Sequence, residues 1–399
     1  MTVLVHAVGG TRMAKERMHG GLTAEVWTDL AAVEALWRSI EAGPDRLGTP
    51  YQRFDWVAPF LAADASEGTL RVIVLREEGG RPRLLLPLTV TRERGARVAR
   101  VVGGDHANYH LPLFATRDAA AIRAEDLRAL LVEVGREAGI DVYVLAHQPR
   151  TWDGTDNPLG LGGTAAPSDG YGLTLGPDPE ATMRRVFSAD ARKKLRSKEK
   201  RLVETVGPLE YRCAASEYEL STFLSAFYAQ KSARFAGLGI RDPYAEAPIR
   251  RFLKRAAQPD GQAGQPAVEI HALVARDSGR VLATFGGAVN AERFSGMMTA
   301  FDADPEIARS SPGDLLLHHL VRDQTARGRR SFDLGVGEAR YKASICDETI
   351  ELVTVTIPVT MRGHIQGLAA RGLNRLKMRI KRDPRLWALV LKARRLRAG

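Results

Sequence analysis

The sequence predicts a mixed α/β fold of the α+β kind, built as two tandem domains with mainly antiparallel sheets flanked by helices. Three observations predict it. Strand-like alternation recurs in consecutive segments of each half, and a helix and one further strand follow each set. A stretch rich in Gly, Pro, Asp and Thr, Gln148–Asp169, separates the halves. A chain of 399 residues is long enough to bury two cores. The expected organisation is a disordered extension over 1–20, a first domain over 21–150, a connection over 151–170, a second domain over 171–360 and a basic helical tail over 361–399.

Residues 1–20 are rich in Gly and Met without periodicity, and Met18 is an alternative start. Helices are expected over Ala24–Ile40 and Phe54–Ala63. A meander follows: Leu70–Arg76, a Gly79-Gly80 turn, Arg83–Val90, a turn at Gly95, and Arg97–Gly103. A helix over Asp118–Ala138 and a strand over Asp141–Ala146 complete the first half. After the connection come helices over Pro179–Thr205, Glu217–Phe235 and Tyr244–Ala257. The second meander begins with Ala267–Arg276, where Val268, Ile270, Ala272 and Val274 alternate with Glu269, His271 and Leu273. Asp277-Ser278-Gly279 turns the chain into Arg280–Val289, and Arg293–Asp302 is the third strand. A helix over Pro312–Arg327 and a strand over Ser331–Gly335 repeat the order of the first half.

Apolar content of 44% and charged content of 26% are ordinary for a globular protein. Two cysteines, Cys213 and Cys346, give neither a disulfide framework nor a Cys-based zinc site. They favour a reducing compartment, and the N-terminus lacks a signal-peptide pattern, so a cytoplasmic location is expected. The net charge of +11 is not spread evenly. Residues 361–399 hold twelve basic residues against one acid, so the first 360 residues balance.

The segment from Phe301 to Lys342 carries most of the chemistry. Ser311 followed by Asp314 has the spacing of a capping box, with Pro312 at the favoured first helical position. Gly313 leaves the backbone bare, so open N–H groups and the positive end of the helix dipole would face a diphosphate. Arg309 is placed to add a charge-assisted contact. Asp314 opposes this reading, because its carboxylate repels phosphate unless it is turned away or neutralised.

The order of Asp302, Ser311-Pro312-Gly313, Asp333-Leu334-Gly335 and Tyr341-Lys342 resembles the GNAT-type acetyltransferases of the CelD/BcsL group. That group is named for cellulose biosynthesis and is related to the double-domain FemABX aminoacyl transferases. The resemblance covers most of residues 25–360. It includes Trp37, Pro50 and Trp56, Leu86-Pro87-Leu88, Gly103-Gly104 through Tyr109, the basic helix Arg192–Arg201, Lys231 and Arg234. The usual GNAT phosphate loop, R/Q-x-x-G-x-G/A, is absent, and Ser-Pro-Gly stands in its place.

The resemblance implies two tandem GNAT-like domains and acetyl-CoA, or another acyl-CoA, as co-substrate without a metal. It implies Arg309, Ser310, Ser311 and Gly313 as donor-binding residues. Lys342 would stabilise developing charge, Tyr341 would protonate the leaving thiolate, and Asp302 and Asp333 are candidate bases, with Glu338 a weaker one. Lys231, Arg234, Arg192 and Tyr109 are candidate acceptor-binding residues, the acceptor being a small molecule or a saccharide. His318 and His319 are expected to pack or face solvent, while His106 and His110 are candidates to line a cleft.

The expected activity is acyl-CoA-dependent N- or O-acyl transfer, with an envelope or exopolysaccharide precursor suggested by the group's name. The alternatives are a FemABX-like aminoacyl transferase using aminoacyl-tRNA, and a non-catalytic GNAT-fold binding protein at the membrane. Nine basic residues between Arg184 and Arg201 form a solvated helix face or a wall attracting an anionic acceptor. The tail places Ile365, Leu368, Leu376 and Ile380 on one helical face among basic residues. Such a helix suits an anionic membrane surface, which would make the protein peripheral to the inner membrane. It would suit nucleic acid too, which is not the expected partner, and docking on the protein's own body is the third reading.

Overall fold

The structure is a computed structural model that describes residues 12–19, 21–64, 68–258 and 265–383, with the side chains of 12–19, 340, 341, 381 and 382 left out. The chain opens with β1 (Arg12–His19) and β2 (Leu22–Trp27), then helices α1 (Leu30–Glu41) and α2 (Phe54–Ala63). Strands β3 (Thr69–Glu77), β4 (Pro82–Glu93), β5 (Ala96–Val101) and β6 (Leu113–Phe114) precede α3 (Ala124–Glu137) and β7 (Val142–Pro149). Short strands β8 (Thr151–Trp152), β9 (Thr155–Asp156) and β10 (Thr164–Ala165) end this passage.

The second passage holds β11 (Gly170–Thr174), α4 (Pro179–Val186), α5 (Ala189–Val206), β12 (Leu209–Cys213), α6 (Glu217–Leu238) and α7 (Ala247–Ala256). It continues with β13 (Val268–Ala275), β14 (Val281–Val289), β15 (Arg293–Phe301), α8 (Pro305–Ala308), α9 (Pro312–Ala326), β16 (Ser331–Val336), α10 (Arg340–Ile345) and β17 (Glu348–Ile350). The chain then finishes with β18 (Leu352–Pro358) and α11 (Met361–Arg382).

Two compact units result, one from the residues up to Asp169 together with Ile350–Asp383, the other from Gly170–Thr349. The first sheet runs β1-β2-β3-β4-β5-β7-β18-β10, with β6 on β4, and the second runs β12-β13-β14-β15-β16-β11-β17. The expected fold class is what the chain adopts: both sheets are mainly antiparallel and both carry helices. The repeat of plan is real. In each unit a meander leads through a helix to a strand that pairs in parallel with the meander's last member, β5 with β7 and β15 with β16.

Several expectations fail for physical reasons. Residues 12–19, expected to be disordered, pair antiparallel with β2, while 1–11 and 20 lie outside the described residues. The helix expected over Ala24–Ile40 is a strand to Trp27 and a helix from Leu30. Asp29 divides them by accepting from the Ala31 amide at 2.9 Å, and the β-branched and aromatic residues before it favour extended backbone. Ser188 likewise caps α5 and splits the helix expected over Pro179–Thr205.

The connection over 151–170 is not a free linker. Asn157 is buried, its amide donating to Gln148 Oε1 and Pro149 O, and Thr164–Ala165 pair with β18. Leu352–Pro358, expected in the second domain, returns to the first sheet, where β18 joins β7. The start of the tail, α11, belongs to the first unit as well.

Candidate active site

Strands β15 and β16 pair only from Arg293–Ser295 to Ser331–Asp333 and then part, while β14 keeps pairing with β15 as far as Phe301. The result is a fork. Asp333 fastens its closed end: Ser295 Oγ donates to Oδ1 at 2.9 Å and the Gly335 amide at 3.0 Å, with Arg293 Nη1 3.6 Å from Oδ2. Asp333 is wholly buried, so the residue expected as a base holds the two strands together instead.

Where a strand loses its neighbour, its carbonyls need other partners. On β15 these come from α6 and the turn after it. Lys231 Nζ donates to Thr299 O at 2.9 Å, and Tyr244 Oη donates to Met297 O at 3.2 Å. The Lys231 ammonium sits 5.3–5.9 Å from the ring centres of Phe227, Phe235 and Tyr244. Burial among these rings, helped by nearby Arg234, pulls its pKa down to about 8. Arg234 lies over the Phe301 ring at the end of β15.

On β16, Lys342 Nζ donates to Gly335 O at 3.2 Å and reaches Val336 O at 3.5 Å, on a side chain that is 7% exposed. The expected Lys342 thus stands at the open end of the fork. The Tyr341 side chain lies outside the described residues. Next to them the Cys346 thiol is pushed up to about 12, mainly by burial, and is inert at neutral pH. Glu338 is exposed in the loop from β16 to α10.

The start of α9 differs from a capping box. Ser311 adopts a left-handed conformation, φ 49°, and does not cap the helix with its side chain. Its Oγ accepts from Lys198 Nζ at 2.9 Å, and the same ammonium pairs with Asp314 Oδ2 at 2.9 Å. Lys198 therefore neutralises the carboxylate that opposed phosphate binding.

The Gly313 amide has no partner among the described residues, and a Cβ added there would meet nothing nearer than Phe301 Cδ1 at 3.8 Å. The bareness expected of Gly313 is thus room beside the amide rather than a steric demand of the fold. Ser310 is fully buried and its Oγ finds no protein partner among the described residues. An open amide and a lysine at a helix start suit an anionic group such as a phosphate, whereas the buried Ser310 hydroxyl does not reach the surface. Arg309 is turned to Glu306 at 2.7 Å instead. Asp302, expected as a base, accepts from Arg280 at 2.8 Å and from the Asp304 amide at 3.0 Å, which makes it the fastening of a turn.

The corresponding fork of the first unit is filled by its own chain. Beyond the pairs Val98–Val142 and Ala99–Tyr143, the segment Ala107–Leu111 lies along β7. The His110 amide donates to His147 O, and Gln148 Nε2 donates to His110 O. Tyr109, expected to bind acceptor, is fully buried against Tyr51 and Trp152, and packing is its role. His110 does not line a cleft: it is buried, and burial pushes its pKa down to about 3. His106 lies near the Phe60 ring.

Arg192 is half-buried on α5, and its Nη1 has no partner among the described residues. His318 packs on Phe187 and His319 on Tyr211, and burial holds both below the usual imidazole range.

One buried cluster lies outside the expected site. Cys213, Glu269 and His271 bring potential ligand atoms within 4.8 Å of one another. Their lone pairs are already committed. Glu269 receives Arg329 at 2.7 and 2.9 Å and lies near Arg327, and His271 Nδ1 faces Tyr211 Oη at 2.8 Å. Two guanidinium groups on the carboxylate oppose a cation, and the cluster ties β13 to the end of α9. Burial works against the charged His271, but Cys213 and Glu269 outweigh it and lift its pKa to about 9.

Sequence reasoning missed Lys198 and Tyr244. Lys198 had a signal: it lies between Leu195 and Leu202 at helical spacing, the line that packs inward, whereas Arg196 and Lys200, two of the three basic residues singled out, are exposed. Tyr244 had none beyond its place after an Asp-Pro turn.

Residues 189–343 match the family model described as an acetyltransferase (GNAT) domain. Among solved structures, FemX superposes with a TM-score of 0.57 at 10% identity, covering 84% of this chain and 97% of its own. A conserved protein of unknown function from Bacteroides thetaiotaomicron superposes at 0.50 with 11% identity, covering 82% of this chain and 97% of its own. At such identities the likeness is one of fold. No curated protein matches in sequence. The stretch that resembles an acetyltransferase (GNAT) domain thus lies wholly within the second unit, the one with the forked sheet and the open helix start.

Proposed function

We propose that the second unit transfers an acyl group, acetyl in the first instance, from coenzyme A to an amine or hydroxyl acceptor. We assign the chain to the CelD/BcsL group, with an envelope or exopolysaccharide precursor as the acceptor class. The observation that carries the reading is the start of α9, where the open Gly313 amide lies by Phe301, on the stretch of β15 that β16 no longer pairs, and Lys198 bonds Ser311. Lys198 and the Gly313 amide would hold the phosphates. Coenzyme A, when bound, supplies the acyl group as a thioester.

The chain's own residues supply the rest. Lys342 places a buried amino group on the β16 arm, which when protonated is suited to stabilising an oxyanion. Lys231, with its pKa near 8, is partly neutral at working pH and suited to take the proton from the attacking group.

Titration calorimetry with acetyl-CoA tests the reading directly. Binding in the micromolar range that Gly313→Leu weakens is expected, and thiol release on adding amines or sugars should follow. No heat at millimolar acetyl-CoA would discard the reading.

A further inference from the structure

An amphipathic helix normally turns its apolar stripe to the protein. Helix α11 does the reverse. The side that packs on the first sheet is made of small residues: a Cβ at Gly363 would lie 1.7 Å from Asp141 O, and one at Gly367 would lie 2.9 Å from Thr356 Cγ2. Ala370 continues this line against Val98, Val142 and Val144, and Asn374 donates to Ala165 O at 3.2 Å. Thr360 Oγ1 accepts from the Gly363 amide and donates to Asp141 Oδ1 at 2.8 Å, fixing the start of the helix. These contacts set the rotation of α11 about its axis, because only glycine fits where the backbones meet.

Among the described residues nothing covers the opposite side. Met361 is 78% exposed, Ile365 71%, Leu368 64% and Leu376 53%, a stripe at helical spacing that Gly372 continues. Arg362, Arg375, Lys377 and Arg379 are exposed too, Arg379 within the stripe and Arg362 and Arg375 flanking it, and Met361–Arg382 contains seven basic residues and no acid.

We propose that this outward face of α11 docks on an anionic lipid bilayer, the apolar stripe entering the interface and the marginal cations meeting lipid phosphates. Charge decides among the occupants. A second copy would set like charges against like, and so would residues 384–399 of this chain, which hold five basic residues and no acid. Nucleic acid would use the cations and leave four large apolar side chains unburied. An anionic bilayer satisfies both. The inference is independent of the acyl-transfer reading, since it rests on the first unit alone.

Vesicles of about one third phosphatidylglycerol in phosphatidylcholine provide the probe. The full chain should co-sediment with them, and neutral phosphatidylcholine vesicles or half-molar salt should weaken binding about tenfold or more. Substituting Ile365→Asp and Leu368→Asp together should cause a similar loss, with the melting temperature unchanged because both side chains stand in solvent. Equal binding by the native chain and the double variant would overturn the proposal in favour of residues 384–399. Binding indifferent to lipid charge would overturn it as well. So would a native dimer that the double variant splits, or RNA binding that the double variant abolishes while vesicle binding persists.

Discussion

Lys231 and Lys342 each hold a main-chain carbonyl on one arm of the fork, Lys231 on Thr299 of β15 at 2.9 Å and Lys342 on Gly335 of β16 at 3.2 Å. Both arms are thus finished by a lysine beyond the last parallel pair. The two ammonium groups are not equivalent, since Lys231 stands in an aromatic box while Lys342 packs near one ring, that of Tyr171.

Replacing Lys342 by Met should therefore reduce turnover by about 10²–10³-fold while changing acetyl-CoA affinity less than about threefold. The Gly335 carbonyl loses a partner, so a stability loss of about 1–3 kcal/mol is expected as well. Turnover measured well below the melting temperature separates the two effects, and unchanged turnover would remove Lys342 from the site.

Lys231 should titrate near pH 8, more than two units below an ordinary lysine. Reductive methylation with labelled formaldehyde and observation of the dimethyl-lysine resonance would follow it directly. If Lys231 accepts the acceptor's proton, the rate rises with pH through about 8, and Lys231→Met abolishes that limb. A midpoint above 10 would show that the box does not desolvate the amine.

Donor binding and folding should separate at the start of α9. Gly313→Leu has space within the chain, so its melting temperature should stay close to native, yet it fills the room beside the amide and should weaken acetyl-CoA binding at least about tenfold. Lys198→Ala should also weaken donor binding, by about 3–10-fold, because Asp314 is left unneutralised. Its part-exposed ion pair adds little to stability, at most about 1 kcal/mol.

The two units should respond to pH with opposite signs. His271 has a folded pKa of about 9, above the unfolded value of about 6.5, so its stabilisation is complete below pH 6.5 and disappears as pH rises through 9. His110 has a folded pKa of about 3, so its burial is favourable above pH 6.5 and loses that advantage as pH falls from 6.5 towards 3. The effects are on the order of 3 kcal/mol for His271 and about 5 kcal/mol for His110. Melting curves of His271→Gln and His110→Gln across pH should flatten on the alkaline and acid sides respectively. The same pH dependence in native and variant chains would contradict the assignment.

Much of the plan was legible because the meanders announce themselves. The alternation around Val268–Val274 and the turns at Gly79-Gly80 and Asp277-Ser278-Gly279 need no distant partner to be read. What failed needed one. Glu269 and His271 look like the solvent face of a strand, yet all of β13 is buried, because Arg329 and Gln324, more than fifty residues later, satisfy their charges. Strand β2 was hidden by residues that also suit a helix, and only Asp29 marked the break. Of the residues proposed for the site, Lys342 and Lys231 came from the resemblance and Gly313 from the bare backbone at a helix start, both local signals. The parts of Asp302 and Asp333 as fastenings depend on Arg280, Ser295 and Arg293, whose nearness a linear chain does not reveal.

Because β18 lies between β7 and β10, the first sheet is completed only by residues after Ile350. A ribosome must deliver the roughly 180 residues of Gly170–Thr349 in the interval, which takes on the order of 10–40 s. Strand β7 waits all that time with one flank bare, an invitation to pairing with another nascent chain. The later-born unit can thus mature before the earlier one, and chaperone demand should fall on the opening half of the polypeptide.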